Sequence, residues 1–322
     1  MPPRARKLGL NPSDPEKLAR IIRLPLSRAW LAGPPSADHL SNVAKWMLGA
    51  NDKFGTCGPT SVANHAVMTW KYLLGQDITV TDDAIFDLYR RSGNPGFVPD
   101  PDNPVQDNGV DMATMLDALV KGGITITHPD GTAELVKPLA YAALSTPSPA
   151  SVDPATAIFG GLLFALDLKV AQQKQAGLWD YVPGSAEWGG HATMGGAYTG
   201  QHGPHEADEK LVTWAEVMST TDDFMAHQLD QAFVLLWPAI VAHPAFTEGV
   251  DLPTLAADYQ AATGRPFPAQ PTPPVPDPVP PDAADAALAA ATLVWAGQRH
   301  VGANKKAALA VQAWLRTKGF TG

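Results

Sequence analysis

The sequence predicts an α+β fold in which a helical half precedes a mostly antiparallel sheet. Three observations carry that expectation. Apolar residues recur at helical spacing between positions 59 and 121. From position 124 to 237 the pattern changes to short apolar or alternating runs bounded by Gly, Pro and Asp, which read as strands. Helices gather first and strands later, without the regular alternation that builds a parallel sheet. With 322 residues, 45% hydrophobic and 17% charged, the chain can form one large domain or two smaller ones.

The elements follow in order. Residues 1–25 form an arm rich in Pro and Arg, made basic by Arg4, Arg6, Lys7, Lys17, Arg20 and Arg23. Residues 36–48 are expected to be a helix. Over 59–74, Pro59 suits a first helical turn, where its missing N–H costs nothing, and Val62, Ala66, Trp70 and Leu73 make an apolar stripe that Gly75 ends. A second helix is expected over 81–91 with Thr81 or Asp82 as cap, and a third over 111–121, stopped by Gly122 and Gly123. Residues 95–108 are a Pro/Asp/Asn loop. Strands are expected over 124–127, 134–141, 157–167, 191–198, 211–217 and 232–237, with short helices over 168–175 and 224–230. Residues 201–208 read as a polar hairpin loop.

Nine prolines fall within 264–281, which favours an extended linker over a packed core. Beyond it, 283–298 and 304–318 read as two helices joined at 301–303. The expected domains are therefore a basic arm (1–25), a catalytic-type domain (26–263), a Pro-rich linker (264–281) and a C-terminal helical hairpin (282–322).

The formal charge of −9 argues against a general nucleic-acid binder. A single cysteine excludes an intrachain disulfide and any Cys-rich zinc site. The basic start leads into Pro, Asp and Glu, so no signal peptide is read, and the apolar run 232–242 is too short to span a bilayer. These features predict cytoplasmic synthesis and no membrane span.

Chemistry concentrates on that one cysteine. Cys57 lies in the run Asn51-Asp-Lys-Phe-Gly-Thr-Cys57-Gly-Pro-Thr-Ser, at the expected start of a helix. Helix N–H groups and the dipole favour a thiolate there. Far downstream, Gly189-Gly190-His191-Ala-Thr-Met-Gly-Gly offers an imidazole on a strand whose small residues let a helix approach. A thiol needs such a base to attack as thiolate. The Cys57 N–H and the Asn51 side-chain amide, six residues earlier, are candidate oxyanion donors. A lone cysteine is more often a small core residue, but this run and its placement favour a nucleophile.

These two segments, 51–63 and 189–200, resemble the cysteine and histidine motifs of papain-like cysteine peptidases. The Cys57-Gly58-Pro59-Thr60-Ser61 run is most similar to their bacteriocin-processing, C39-like branch. The resemblance covers about residues 30–240 and implies a helical half packed on an antiparallel sheet. It implies the chain order oxyanion amide, Cys, His, then Asn or Asp. Asn51 stands where the family commonly has Gln. The third member is expected on the strand after His191, beside Trp214, where Thr213 is the short polar residue and Asp208, Glu209 and Glu216 are alternatives. The implied activity is hydrolysis of a peptide or isopeptide bond through an acyl-enzyme, with a peptide or protein substrate and no cofactor. Transfer of the acyl group to an amine would use the same pair.

Other polar groups read more plainly. His65 is expected to be structural, and Trp70, Trp188 and Trp214 to be core or cleft wall. His202, His205, Glu206 and Asp208 have some metal-ligand character, but their position in a hairpin tip favours a solvated loop, so no metal is expected. The competing function is an inactive peptidase-fold protein that holds an assembly together through 1–25 and 264–322. Its appendages resemble those of accessory virion proteins of bacteriophages.

Overall fold

The structure is a computed structural model that describes residues 6–24, 34–145, 147–241, 246, 249–263 and 266–267. The expected linker and C-terminal helices lie almost wholly outside the described residues. The described residues all belong to one compact unit, Met1–Gln270.

Two short pieces come first, α1 (Pro15–Arg20) and β1 (Ala37–Asp38). The helical half is then α2 (Cys57–Leu74), α3 (Asp82–Arg91) and α4 (Met112–Gly122). Each boundary has a local cause. Gly75 closes α2 at φ 65°, its N–H reaching Lys71 O and Trp70 O. Thr81 caps α3 by accepting from Ala84 N–H, and Asp111 caps α4 by accepting from Thr114 N–H. α2 differs from a surface helix in that every residue from Cys57 to Trp70 is buried. Several of its polar side chains are met internally, although the Thr60 hydroxyl has no hydrogen bond among the described residues. Ser61 donates to Cys57 O, and Asn64 clasps the 47 peptide by accepting from Met47 N–H and donating to Met47 O.

The expected helix over 36–48 is not formed. Asp38 folds back to accept from Leu40 N–H and Ser41 N–H, an Asx turn that competes with helix. Asn64 takes the backbone groups of Met47, and Gly49 and Ala50 carry positive φ. The segment is a packed loop held by α2.

The sheet half begins with a separate hairpin, β2 (Ile124–Thr127) and β3 (Ala133–Val136). The expected single strand over 134–141 is split: Pro138 separates β3 from β4 (Ala140–Ala143), which joins the main sheet. The expected strand over 157–167 is also corrected. Residues 157–159 end α5 (Pro149–Phe159), Gly160 at φ 76° turns the chain, and β5 (Leu162–Lys169) follows. The run is apolar up to Leu166 because the end of α5 and most of β5 are both buried, which erases the period that tells helix from strand.

A 3-10 turn over Val170–Gln173 replaces the helix expected over 168–175. Then come β6 (Leu178–Trp179), β7 (Glu187–Tyr198) and β8 (Ala207–Thr213). They are followed by β9 (Glu216–Thr221), α6 (Asp222–Gln228), β10 (Leu229–Leu236), α7 (Pro238–Val241) and α8 (Leu252–Thr263). The strand expected over 211–217 is in fact a hairpin. Trp214 and Ala215 both have positive φ and reverse the chain between β8 and β9.

The eight-stranded sheet runs β4-β10-β5-β7-β8-β9-β6, with β1 also on β7; all pairs are antiparallel except β6 with β9. β7 is central, and α2 packs on it. Leu162, Leu163, Phe164, Met194, Leu211, Phe233 and Leu235 fill the sheet side of the core, each at most 1% exposed. Burial of a side chain of that size contributes about 1.5–3 kcal/mol. No described helix is long and apolar enough to cross a membrane.

Candidate active site

Cys57 opens α2 and is buried, at 1% exposure. Thr56, the N-cap residue, makes no side-chain cap bond; its hydroxyl donates to Gly49 O instead. The helix start thus keeps its amides for other partners. Backbone N–H groups of Ala192, Gly9, Gly58 and Cys57 itself bear on the sulfur and favour its anion. Desolvation outweighs them, and the Cys57 thiol is pushed up to about 11. The thiol is neutral in this state.

The Ala192 N–H belongs to the residue after His191, so Cys57 lies over that part of β7. His191 is 0% exposed. Its Nε2 is 2.7 Å from Thr213 Oγ1, on the neighbouring strand β8. Its ring stacks on Trp214, with centroids 4.3 Å apart and planes 15° off parallel. Nδ1 has no hydrogen-bond partner among the described residues. Burial, and then the positive charge of Arg6, hold His191 down to about 3. The imidazole is therefore also neutral. An ionised Asp partner can only accept from Nε2–H. A threonine hydroxyl can accept or donate, so Thr213 positions the ring without dictating its tautomer.

Residues 6–11 of the arm run between the two halves. Lys7 N–H donates to Asn51 O at 3.4 Å, Leu10 N–H to Gly190 O at 3.2 Å, and Asn11 N–H to Val110 O at 2.8 Å. Val110 N–H in turn donates to Gly9 O at 2.8 Å. Arg6 lies 4.8 Å from the Trp214 ring centroid and 3.6 Å from Glu216. Lys7 pairs with Asp107, whose carboxylate also accepts from Gly55 N–H and Tyr89 O–H. The passage is tight. A Cβ on Gly9 would meet Gly55 O at 2.3 Å, and one on Gly190 would meet Leu10 O at 2.4 Å. Glycine at both positions lets two backbones touch. The arm is a stretch of extended chain, bonded on both sides, above the sulfur.

Asn51 is buried, and its amide donates to Phe54 O at 3.0 Å and Lys7 O at 3.3 Å. Both donors are engaged, one of them by a carbonyl of the arm. Of the residues singled out by sequence, His191 meets Thr213, Cys57 lies against the backbone of Ala192, next to His191, and Asn51 lies beside the arm. Asp208 and Glu209 face a different part of the molecule, and Glu216 meets Arg6. Sequence reading missed the contributions of Arg6, Lys7, Gly9 and Asp107. The basic arm was visible, but nothing local marked Leu8-Gly9-Leu10 as a segment that fits a cleft.

His65 lies deeper in α2 and is fully buried. Trp237 Nε1–H donates to its Nδ1 at 3.1 Å, so its proton is on Nε2, which donates to Gly161 O at 3.0 Å. Burial holds it neutral, down to about 4. These bonds tie α2 to the sheet half.

No protein-family model matches the sequence, and no curated protein matches it. Solved structures do. Xylellain, a cysteine protease from Xylella fastidiosa, aligns over 73% of this chain and 97% of its own, with a TM-score of 0.55 at 10% identity. Procathepsin B S9 from Trypanosoma congolense aligns over 72% of this chain and 87% of its own, with a TM-score of 0.53 at 11% identity. The fold is that of the papain-like cysteine proteases. At such identities the likeness speaks for architecture; the chemistry rests on the residues themselves.

Proposed function

We propose that the chain is a cysteine peptidase or amidase held latent by its own arm. The observation that supports this most is the extended segment 6–11, hydrogen-bonded to both halves of the cleft over a buried cysteine at a helix start. An extended peptide bonded through its backbone on both sides is what a substrate would offer. When the arm leaves, water reaches the site and the desolvation that keeps both groups neutral falls. The helix-start amides then favour the thiolate.

In the reaction, the Cys57 thiol gives its proton to His191, and Sγ forms a bond to the substrate carbonyl carbon. Oxyanion donors are the Cys57 N–H and the Asn51 amide, freed from Lys7 O. His191 returns the proton to the leaving amine as the C–N bond breaks, leaving a thioester. A water, deprotonated by His191, then cleaves the thioester. Thr213 holds the ring throughout. The Cys57-Gly58-Pro59-Thr60-Ser61 run supports a place nearest the C39-like branch.

The test uses full-length protein. Gly9→Val forces the arm from Gly55, and a peptidyl epoxide then reports the thiol. Labelling of folded Gly9→Val, absent in the Cys57→Ala double variant and suppressed by His191→Ala, is the expected result. Folded Gly9→Val that is neither labelled nor able to cleave peptides would sink the proposal.

That outcome would favour the second reading, an inactive peptidase-fold protein of an assembly such as a bacteriophage virion. The neutral, sealed pair and the threonine in third place are what favour it. Residues 6–24 pack on the domain, so the anchor in this reading is 264–322. Deleting 264–322 should then abolish incorporation into the particle.

A further inference from the structure

A second group of polar side chains, three of them buried, lies away from the cysteine. Asp153 comes from α5, Asp208 and Glu209 from β8, Asp222 from the start of α6, and His202 from the loop between β7 and β8. Oxygen atoms of Asp208, Glu209 and Asp222 lie within 4.8 Å of one another, as do ligand atoms of Asp153, His202 and Asp208. Asp208 and Glu209 are adjacent in sequence, and neighbours on a regular strand face opposite ways. Here the pairing slips between Ala207 and Lys210, placing an extra residue in β8. That bulge lets both carboxylates reach one place.

The second observation is that Asp208 and Glu209 are buried and keep oxygens without a hydrogen bond. Asp208 is 0% exposed and Glu209 2%. Asp208 Oδ1 accepts from Thr199 N–H, Gly200 N–H and the Thr199 hydroxyl, which fixes the carboxylate. Its Oδ2 has no hydrogen bond, nor does either oxygen of Glu209, nor Asp153 Oδ1 or Asp222 Oδ1. Among the described residues, no lysine or arginine pairs with any of the four. His202 Nδ1 lies 3.1 Å from Asp208 Oδ2 and 3.4 Å from Asp222 Oδ2. Buried carboxylates without partners cost several kcal/mol each.

We propose that Asp208, Glu209 and Asp222, with Asp153 beside them, form a binding site for a hard divalent cation, Ca2+. The donors are carboxylate oxygens, which suit Ca2+ better than a thiolate- or imidazole-seeking metal. A bulged strand, two helix starts or bodies and a loop converge there, so flexible, irregular oxygen geometry fits it better than the strict octahedron of Mg2+. The cation would bind β8, α5 and α6 together at the N-terminal end of β8. This site departs from the expectation of a solvated loop. His205 and Glu206 are exposed, as expected, but Asp208 belongs to β8 and is fully buried. The inference is independent of whether Cys57 is catalytic.

Full-length protein stripped with EDTA is titrated with CaCl2 by calorimetry, and its Tm is followed in parallel. One saturable site is expected, with Tm higher by about 5–10 °C at a hundredfold excess over Kd. Glu209→Gln and Asp222→Asn should each lose the saturable heat and the Tm rise. In EDTA both should be at least as stable as the parent, because each replaces a carboxyl whose charge is opposed by burial and by the neighbouring acids. His202→Ala should keep Ca2+ binding. The proposal is overturned if the parent shows no saturable Ca2+ binding up to about 1 mM, the weak end of protein Ca2+ sites. It is also overturned if both carboxamide variants bind as well as the parent, or if Zn2+ binds and Ca2+ does not.

Discussion

The cleft around Cys57 and the carboxylate group around Asp208 treat buried polar atoms in opposite ways. At the cleft, burial makes both titratable groups neutral, and a segment of the same chain satisfies the surrounding amides. At Asp208 four acidic side chains gather with one histidine among them, and several oxygens face nothing. In the first arrangement the chain itself covers the site, leaving His191 Nδ1 as the unbonded ring atom. The second needs something from outside it. Burial alone therefore does not predict how a polar cluster is resolved; the supply of complementary groups from distant segments does.

The largest effect should come from unsealing the cleft. Gly9→Val is expected to raise the rate of Cys57 alkylation by iodoacetamide at pH 7 by about 100-fold or more, because a thiol returned towards its ordinary range has several hundredfold more thiolate. Intact-mass kinetics on the folded variant would read this. A rate unchanged from the parent would mean that the arm does not seal the site. In the parent the reaction should be slow until the pH nears 11, where the buried thiol ionises. Rapid alkylation near pH 6 would contradict the neutral pair.

Acid should also separate the two regions. His65 and His191 are held down to about 4 and about 3 in the folded protein, below their ordinary 6.5. Below 6.5 each of these two histidines therefore binds more proton in the unfolded chain than in the folded one. Each takes away about 1.4 kcal/mol of stability per pH unit as pH falls, until its folded value is reached. Burial raises Asp153 to about 7 and Glu209 to about 9, and those carboxyls act in the opposite sense, so a histidine's share is the difference between the parent and its variant. Denaturant unfolding at pH 6.5, 5.5 and 4.5 would measure the slope. A slope unaltered in a folded His65→Gln variant would mean that His65 is not the group responsible.

Smaller still is the effect of the ring's anchor. Thr213→Val leaves His191 Nε2 without a partner and should cost about 1–3 kcal/mol of stability. In the Gly9→Val background it should also slow labelling of Cys57, and Thr213→Asn should restore it. Last, Asn64→Ala removes the clasp on Met47 and should cost about 1 kcal/mol, with no change in Cys57 reactivity. Parallel loss of reactivity would show that the 36–50 loop shapes the cleft.

Where sequence and structure agree, the signals are local. Thr81, Asp111 and Gly75 mark helix ends through bonds to atoms within a few residues. Where they differ, burial removed the signal. Residues 157–166 carry no polar side chain because both the end of α5 and β5 lie in the core, so helix and strand could not be told apart. At 36–48 a helical spacing was present, but Asp38 and the distant Asn64 claimed the backbone groups a helix needs. At 211–217 the apolar run hid a turn, since Trp214 and Ala215 reverse the chain without glycine or asparagine.

By itself the sequence determined the order of the two halves, the start of α2 at Cys57 and the presence of His191 on a strand, because spacing and capping act between near neighbours. Only the tertiary structure decided that Thr213 meets His191, that the arm lies over the sulfur, and that a bulge turns Asp208 and Glu209 into one buried place. Those outcomes depend on which distant segments meet and on how much water they exclude, and no short stretch of sequence carries either quantity.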